Sequence, residues 1–182
     1  WRPLHFDDVF IPPDHVLLKE GGFRKQISGF NVERVGNSAR SRAVGECAFR
    51  IAREHAGTRA QFGRRLMEFQ GLQWKFAEMR VALDGAQLLL YRAAANAGRG
   101  LPDPQEVAIA KYACNQAGWL AVNEAMQVMG GTGYSDDVLV EYCLRKSRGW
   151  MIAGGSLEMM RNRIAEGVFD RTFPQRPPKP AT

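Results

Sequence analysis

Between Phe69 and Leu90 the apolar residues step by three and four: Phe69, Leu72, Phe76, Met79, Leu83, Ala86 and Leu90. A period near 3.6 residues puts this whole set on one face of an α-helix, where a half-buried strand would alternate at every second residue. An apolar stripe of that length is stable in water only against a matching surface. Such a surface follows at Val107, Ala110, Cys114, Ala117, Ala121, Ala125 and Val128. Asp103 is positioned to cap this helix and Pro104 to be its first residue, so it runs from about Asp103 to Met129. Gly98, Gly100 and Pro102 end the preceding one. A third long helix is expected from near Asn31, its N-cap, to about Gly57, with Val32, Val35, Ala39, Ala43, Val44, Ala48, Ile51 and His55 in helical spacing. Shorter helices are expected around Val138 to Ser147 and Ser156 to Phe169. Three long helices and two short ones predict an all-α, antiparallel helical bundle.

The punctuation divides the chain into three parts. Residues 1–22 read as an extended segment and turn ending in the Gly21-Gly22 joint, residues 23–170 as the bundle, and residues 171–182 as a Pro-rich tail. Of the 182 residues 45% are apolar and 24% charged, an ordinary balance for one domain with a sizeable core. No apolar run is long enough to span a bilayer, and Trp1 to Asp8 have no signal-peptide pattern, so no membrane association is expected. Cys47, Cys114 and Cys143 are widely spaced, which reads as free thiols in a reducing, cytoplasmic setting. The formal charge of +6 suits any anionic partner, including the phosphates of a nucleotide cofactor. There is no zinc spacing, RNP-like motif or lysine-rich arm, so neither nucleic acid nor a metal is expected.

Four local motifs carry more than fold. The first is Arg-Ala-Gln-Phe-Gly at 59–63, followed by Phe69-Gln70; read alone it is a surface arginine in a loop with Phe62 plugging the core. The second is Gln-Val-Met-Gly-Gly-Thr-Gly-Tyr at 127–134; read alone it is a helix C-cap and a glycine turn. The third is Ile-Ala-Gly-Gly-Ser-Leu-Glu-Met-Met-Arg at 152–161, which also reads as a glycine hinge before a capped helix. The fourth is Phe-Asn-Val-Glu-Arg at 30–34, where Glu33 also reads as a first-turn acid favoured by the helix dipole.

In that order and spacing the motifs resemble the C-terminal domain of the acyl-CoA dehydrogenase family, across nearly the whole chain. Residues 1–20 resemble the end of that family's middle β-domain. The resemblance implies FAD as cofactor and assigns it contacts. Arg59 would reach the pyrophosphate region of a neighbouring subunit's FAD, a task for which a guanidinium fork is suited. Phe62 and Gln70 would lie against the same cofactor, and Gln127, Gly130 and Gly131 along its adenine half. Ser156 would donate to the flavin, and Glu158 matches another cofactor-contacting position. Arg34, Gly154 and Gly155 would face the acyl-CoA substrate.

The commonest family pattern has a catalytic glutamate where this chain has Gly154, and a tyrosine where it has Ala153. A minority, resembling isovaleryl-CoA and long-chain acyl-CoA dehydrogenases, carries the base one residue before the arginine of the first helix instead. Glu33 matches that base and Gly154 the vacated site. The implied chemistry is α,β-desaturation of an acyl-CoA thioester. Glu33 takes the α-proton, and hydrogen bonds from the Gly154 N–H and a ribityl hydroxyl stabilise the thioester oxygen. An electron-transfer flavoprotein would reoxidise the flavin, and the assembly would be a homotetramer. The reduced side-chain volume at Ala153, Gly154 and Gly155 favours a branched or bulky acyl group. Competing readings are a non-catalytic FAD-binding subunit of a mixed complex, a flavin monooxygenase on the same fold, and a helical oligomerisation module of another kind.

Overall fold

The computed structural model describes residues 2–174. Six helices form it: α1 (Phe23–Thr58), α2 (Gln70–Asn96), α3 (Pro104–Met129), the single turn α4 (Gly131–Tyr134), α5 (Leu139–Ile152) and α6 (Leu157–Val168). The bundle is all-α apart from a small hairpin between α1 and α2. There β1 (Ala60–Gln61) pairs antiparallel with β2 (Arg64–Arg65), Ala60 opposite Arg65. Its tip, Phe62 and Gly63, has φ of 53° and 78°, the left-handed pair that a tight hairpin turn requires. The sequence reading had this stretch only as a connector.

The long helices alternate in direction. Lys75, near the start of α2, is bonded to Glu124 near the end of α3. At the opposite end, Asn96 of α2 donates to Glu106 of α3 at 2.8 Å. Asp103 caps α3 as expected, its side chain accepting from the Glu106 N–H at 2.9 Å. The two predicted stripes meet: Met79, Leu83, Ala86 and Leu90 of α2 pack with Cys114, Ala117 and Ala121 of α3 and Phe49 of α1. A second cluster joins Ala48 and Ala52 of α1, Val122, Ala125 and Met129 of α3, and Val140 and Cys143 of α5. Where α1 crosses α3 the backbones touch. A Cβ at Gly118 would stand 2.5 Å from the Ser41 carbonyl oxygen, and one at Gly45 would stand 2.8 Å from the Gly118 Cα.

Two helix boundaries differ from expectation. Helix α1 begins at Phe23, not near Asn31. Asn31 is therefore no N-cap; it is buried, and its side-chain oxygen accepts from Arg34 Nη1 at 2.9 Å. The same shift removes Glu33 from the first turn of the helix, so the helix dipole no longer accounts for an acid there. Helix α5 continues past Ser147 to Ile152, which delivers its C-terminus to the glycine pair. Before α1, residues 2–22 are irregular, with a 3₁₀ turn at Pro13–His15, bends at 8 and 17–18 and a turn at 20–22, and Leu4, Phe6, Phe10, Ile11 and Leu17 are all exposed. The last part of the expected Pro-rich tail, 175–182, lies outside the described residues. No helix among the described residues is long and apolar enough to cross a membrane.

Candidate active site

A helix leaves its last carbonyls without intrahelical donors. At the end of α5 those groups are taken up by side chains from α1 and α3. The Trp150 carbonyl accepts from Asn37 Nδ2 at 3.2 Å and from Lys111 Nζ at 3.3 Å. Asn37 Nδ2 also reaches the Ala153 carbonyl at 3.3 Å, and Arg34 Nε reaches the Gly154 carbonyl at 2.9 Å. Asn115 completes the clamp from below, donating to Asn37 Oδ1 at 3.0 Å and to the Lys111 carbonyl at 2.8 Å. The clamped segment then turns through Gly154 and Gly155 with φ of 69° and 98°, values that L side chains adopt only with strain. Among the described residues, the Gly154 N–H makes no backbone hydrogen bond.

The electrostatics of this turn are one-sided. Arg34 is half-buried, and burial, with Arg163 nearby, draws its guanidinium below the usual range. Lys111 is wholly buried; desolvation, with Arg34 adding, lowers its ammonium to about 8. Among the described residues neither cation has a carboxylate partner. Space remains over Gly154, where an added Cβ would meet only Lys111 Cε at 3.7 Å and Arg34 Cγ at 3.9 Å. Gly155 is tighter, with Met160 Cε 3.1 Å from the same construction.

Glu33 is exposed and lies well inside α1. It precedes Arg34 and shares a helix face with Asn37, one turn further on, so both of its neighbours in the clamp hold the turn. Its carboxylate has no ion pair among the described residues. Across the turn, Ser156 occupies the N-cap position of α6. Glu158 is exposed, and its own backbone N–H, the Ser156 hydroxyl and Arg161 hold its carboxyl below the usual carboxylate range.

The other predicted cofactor residues gather at the far end of the bundle. Arg59 terminates α1, Gln70 opens α2, and the alternating helix directions bring Gln127, Gly130 and Gly131 at the end of α3 to that same end. All are exposed. Phe62 does not plug the core: it is 93% exposed at the hairpin tip. Gly130 has φ 59°, which ends α3 and starts the single turn α4.

Sequence reading passed over Asn37, Lys111 and Asn115. A signal was present: Lys111 stands one turn after Val107 and Asn115 one turn after Lys111, on the buried side of α3, where the apolar period calls for hydrophobic residues.

A family profile described as "Acyl-CoA dehydrogenase, C-terminal domain" matches residues 20–169. The chain belongs to the acyl-CoA dehydrogenase family. It is 38% identical over 177 residues to a 3-sulfinopropanoyl-CoA desulfinase of Advenella mimigardefordensis, covering 94% of this chain and 44% of that protein. It is 36% identical over 170 residues to an acyl-CoA dehydrogenase of Bacillus subtilis, covering 93% of this chain and 45% of that one. The structure of butyryl-CoA dehydrogenase from Megasphaera elsdenii superimposes with a TM-score of 0.84 at 30% identity, over 90% of this chain and 43% of that one. The chain thus spans less than half the length of the acyl-CoA dehydrogenase family members it matches, and its bundle is their C-terminal domain.

Proposed function

We propose that this chain is the C-terminal part of an FAD-dependent enzyme that desaturates an acyl-CoA thioester between its α and β carbons, with Glu33 as the base. The observation that carries the assignment is the pairing of Glu33 with Gly154. Among the described residues, the turn at 154 has no carboxylate but keeps a free N–H, and an acid without a structural partner stands on α1 beside the residues that clamp that turn. In this reading the Gly154 N–H donates to the thioester oxygen as negative charge develops there. Glu33 takes the α-proton. Arg34 holds the turn through the Gly154 carbonyl and places a positive charge beside Glu33.

The chain's residues fit FAD. An exposed aromatic ring at Phe62, the Arg59 guanidinium, and Gln70 and Gln127 at one end of the bundle suit a flat ligand bearing a diphosphate. Ser156 and the start of α6 suit the flavin. FAD, when bound, accepts the hydride from the β-carbon. An electron-transfer flavoprotein is the proposed acceptor of those electrons.

The exposed apolar residues of the N-terminal segment support a covering domain in the full-length enzyme, here the proposed β-domain. Trp74, Val81 and Leu88 recur every seventh residue along α2 and are 60%, 74% and 70% exposed. That seam is suited to a helix of a second copy and supports the proposed homotetramer.

The test is the visible spectrum of the full-length enzyme before and after anaerobic addition of a panel of straight, branched and acidic acyl-CoAs. Bleaching of bound flavin by at least one is expected. A second reading is favoured by the relatives named as desulfinases: removal of a sulfinate from an anionic acyl-CoA, for which the unpaired Arg34 and Lys111 are suitable neighbours. Sulfite release from 3-sulfinopropanoyl-CoA without flavin bleaching by any of the panel would select it. A non-catalytic subunit or a monooxygenase gives no account of Glu33.

A further inference from the structure

An ammonium with no accessible surface and no carboxylate partner is an expensive core residue: even after relaxation its desolvation costs several kcal/mol. Among the described residues Lys111 is such a group. A methionine or leucine would fill the same space between α1, α3 and α5. What the ammonium does instead is specific. It donates to the Trp150 carbonyl at 3.3 Å, alongside Asn37, and so ties the final turn of α5 to α3. The carbonyls of Trp150, Ala153 and Gly154 are all held by α1 or α3 side chains, while among the described residues the adjoining Gly154 N–H has no backbone acceptor. The clamp therefore fixes the plane of the peptide that carries that donor without occupying the donor itself. The Lys111 Cε also lies 3.7 Å from where a Gly154 Cβ would be, directly under the open space over the turn.

We infer that Lys111 is a positioning residue of the active site, holding the α5 terminus so that the Gly154 N–H is presented to the thioester oxygen. The inference rests on the acyl-CoA reading above. It goes beyond it in assigning the buried lysine of α3 a share of transition-state stabilisation. Ground-state binding of acyl-CoA comes from many contacts along the molecule, whereas charge on the thioester oxygen appears only during reaction. Loss of Lys111 should therefore act on kcat and not on KM.

The experiment compares the full-length holoenzyme with Lys111→Met, which keeps the volume, and Lys111→Gln, which keeps a donor for Trp150 without the charge. For Lys111→Met, flavin content should be retained and KM for acyl-CoA should stay within about threefold. The rate of flavin reduction should fall about tenfold, less than the hundredfold or more that follows outright removal of an oxyanion donor. Lys111→Gln should recover most of that rate. On the same proteins, hydrogen exchange of the peptide spanning 150–156 should be at least about tenfold faster in Lys111→Met, since the turn has lost a tie. A wild-type rate in Lys111→Met, or parallel losses of flavin, KM and thermal stability with no recovery in Lys111→Gln, would reduce Lys111 to core support. If wild-type flavin is reduced by no acyl-CoA, the desaturation reading fails on that result. The exchange measurement still decides whether Lys111 holds the turn, and unchanged exchange overturns the inference.

Discussion

Moving the proposed base from α1 to the turn tests the site where its parts are most interdependent. Glu33→Gln preserves shape and removes the proton acceptor, so flavin reduction by acyl-CoA should fall at least about a hundredfold, the scale of general-base catalysis. Gly154→Glu in that background should then restore part of the rate. The structure sets how much. The new Cβ meets nothing closer than 3.7 Å, so the Cβ itself meets no clash. With φ at 69°, however, an L residue sits in the left-handed region, at a cost of roughly 1–2 kcal/mol. That energy lowers the population of the productive turn by a factor of about 5–30. Lys111 and Arg34 also favour the ionised carboxylate and so weaken it as a base. The double variant should run roughly 5–30-fold below wild type at best, by anaerobic stopped-flow of flavin absorbance. A Glu33→Gln enzyme reducing its flavin at the wild-type rate refutes Glu33 as the base. A double variant no faster than Glu33→Gln would show that a carboxylate at 154 does not reach the substrate.

Three further outcomes follow from the fold. Gly118→Ala forces a methyl to within 2.5 Å of the Ser41 carbonyl oxygen, so α1 and α3 must separate; thermal unfolding by circular dichroism should show a loss of about 1–3 kcal/mol. Phe62→Ala should leave the stability of this chain within about 0.5 kcal/mol, because the ring is exposed, while flavin retention in the full-length enzyme falls. Burial pushes the Cys114 and Cys143 thiols from an ordinary value of 9.0 up to about 12. The folded chain therefore holds protons that the unfolded chain releases between those values, and the thiols' contribution to stability is present below about pH 9 and lost as pH rises toward 12. Urea titrations across that range should show a decline that Cys114→Ala makes shallower; a slope unchanged by that substitution would remove the thiol as its cause.

The parts of the fold legible in the sequence are those where one periodicity or one cap dominates. Helix α2 was readable from its stripe, and α3 from its stripe together with Asp103 and Pro104. Helix α1 was misplaced at its start because Asn31 carries the side chain of an N-cap but uses it inside the helix, accepting from Arg34. Its true N-terminus at Gly22 has no side-chain cap, and so no local signal. The end of α5 was missed for a related reason: its last carbonyls are satisfied by Arg34, Asn37 and Lys111, residues remote in sequence. The hairpin consists of two residues on each side, too short for an alternating pattern to register. Of the candidate site, the motif residues on exposed turns were visible because glycines, Arg59 and Phe62 have no core function to mask them. The polar clamp was hidden within stripes read for their apolar members.

The clamp also gives a physical reason why the proposed base on α1 and a glycine at 154 belong together. A glutamate at 154 would sit in a left-handed conformation, over a buried lysine and beside a half-buried arginine, where its charge is over-stabilised and its basicity reduced. Glu33 escapes the strain, because helix α1 holds it in ordinary geometry, and it is exposed at the edge of the cationic region, with Arg34 turned away toward the Gly154 carbonyl. In the proposed reaction, substrate bound at that edge would exclude water from Glu33. The cations then act on the turn and its N–H, which need a fixed geometry.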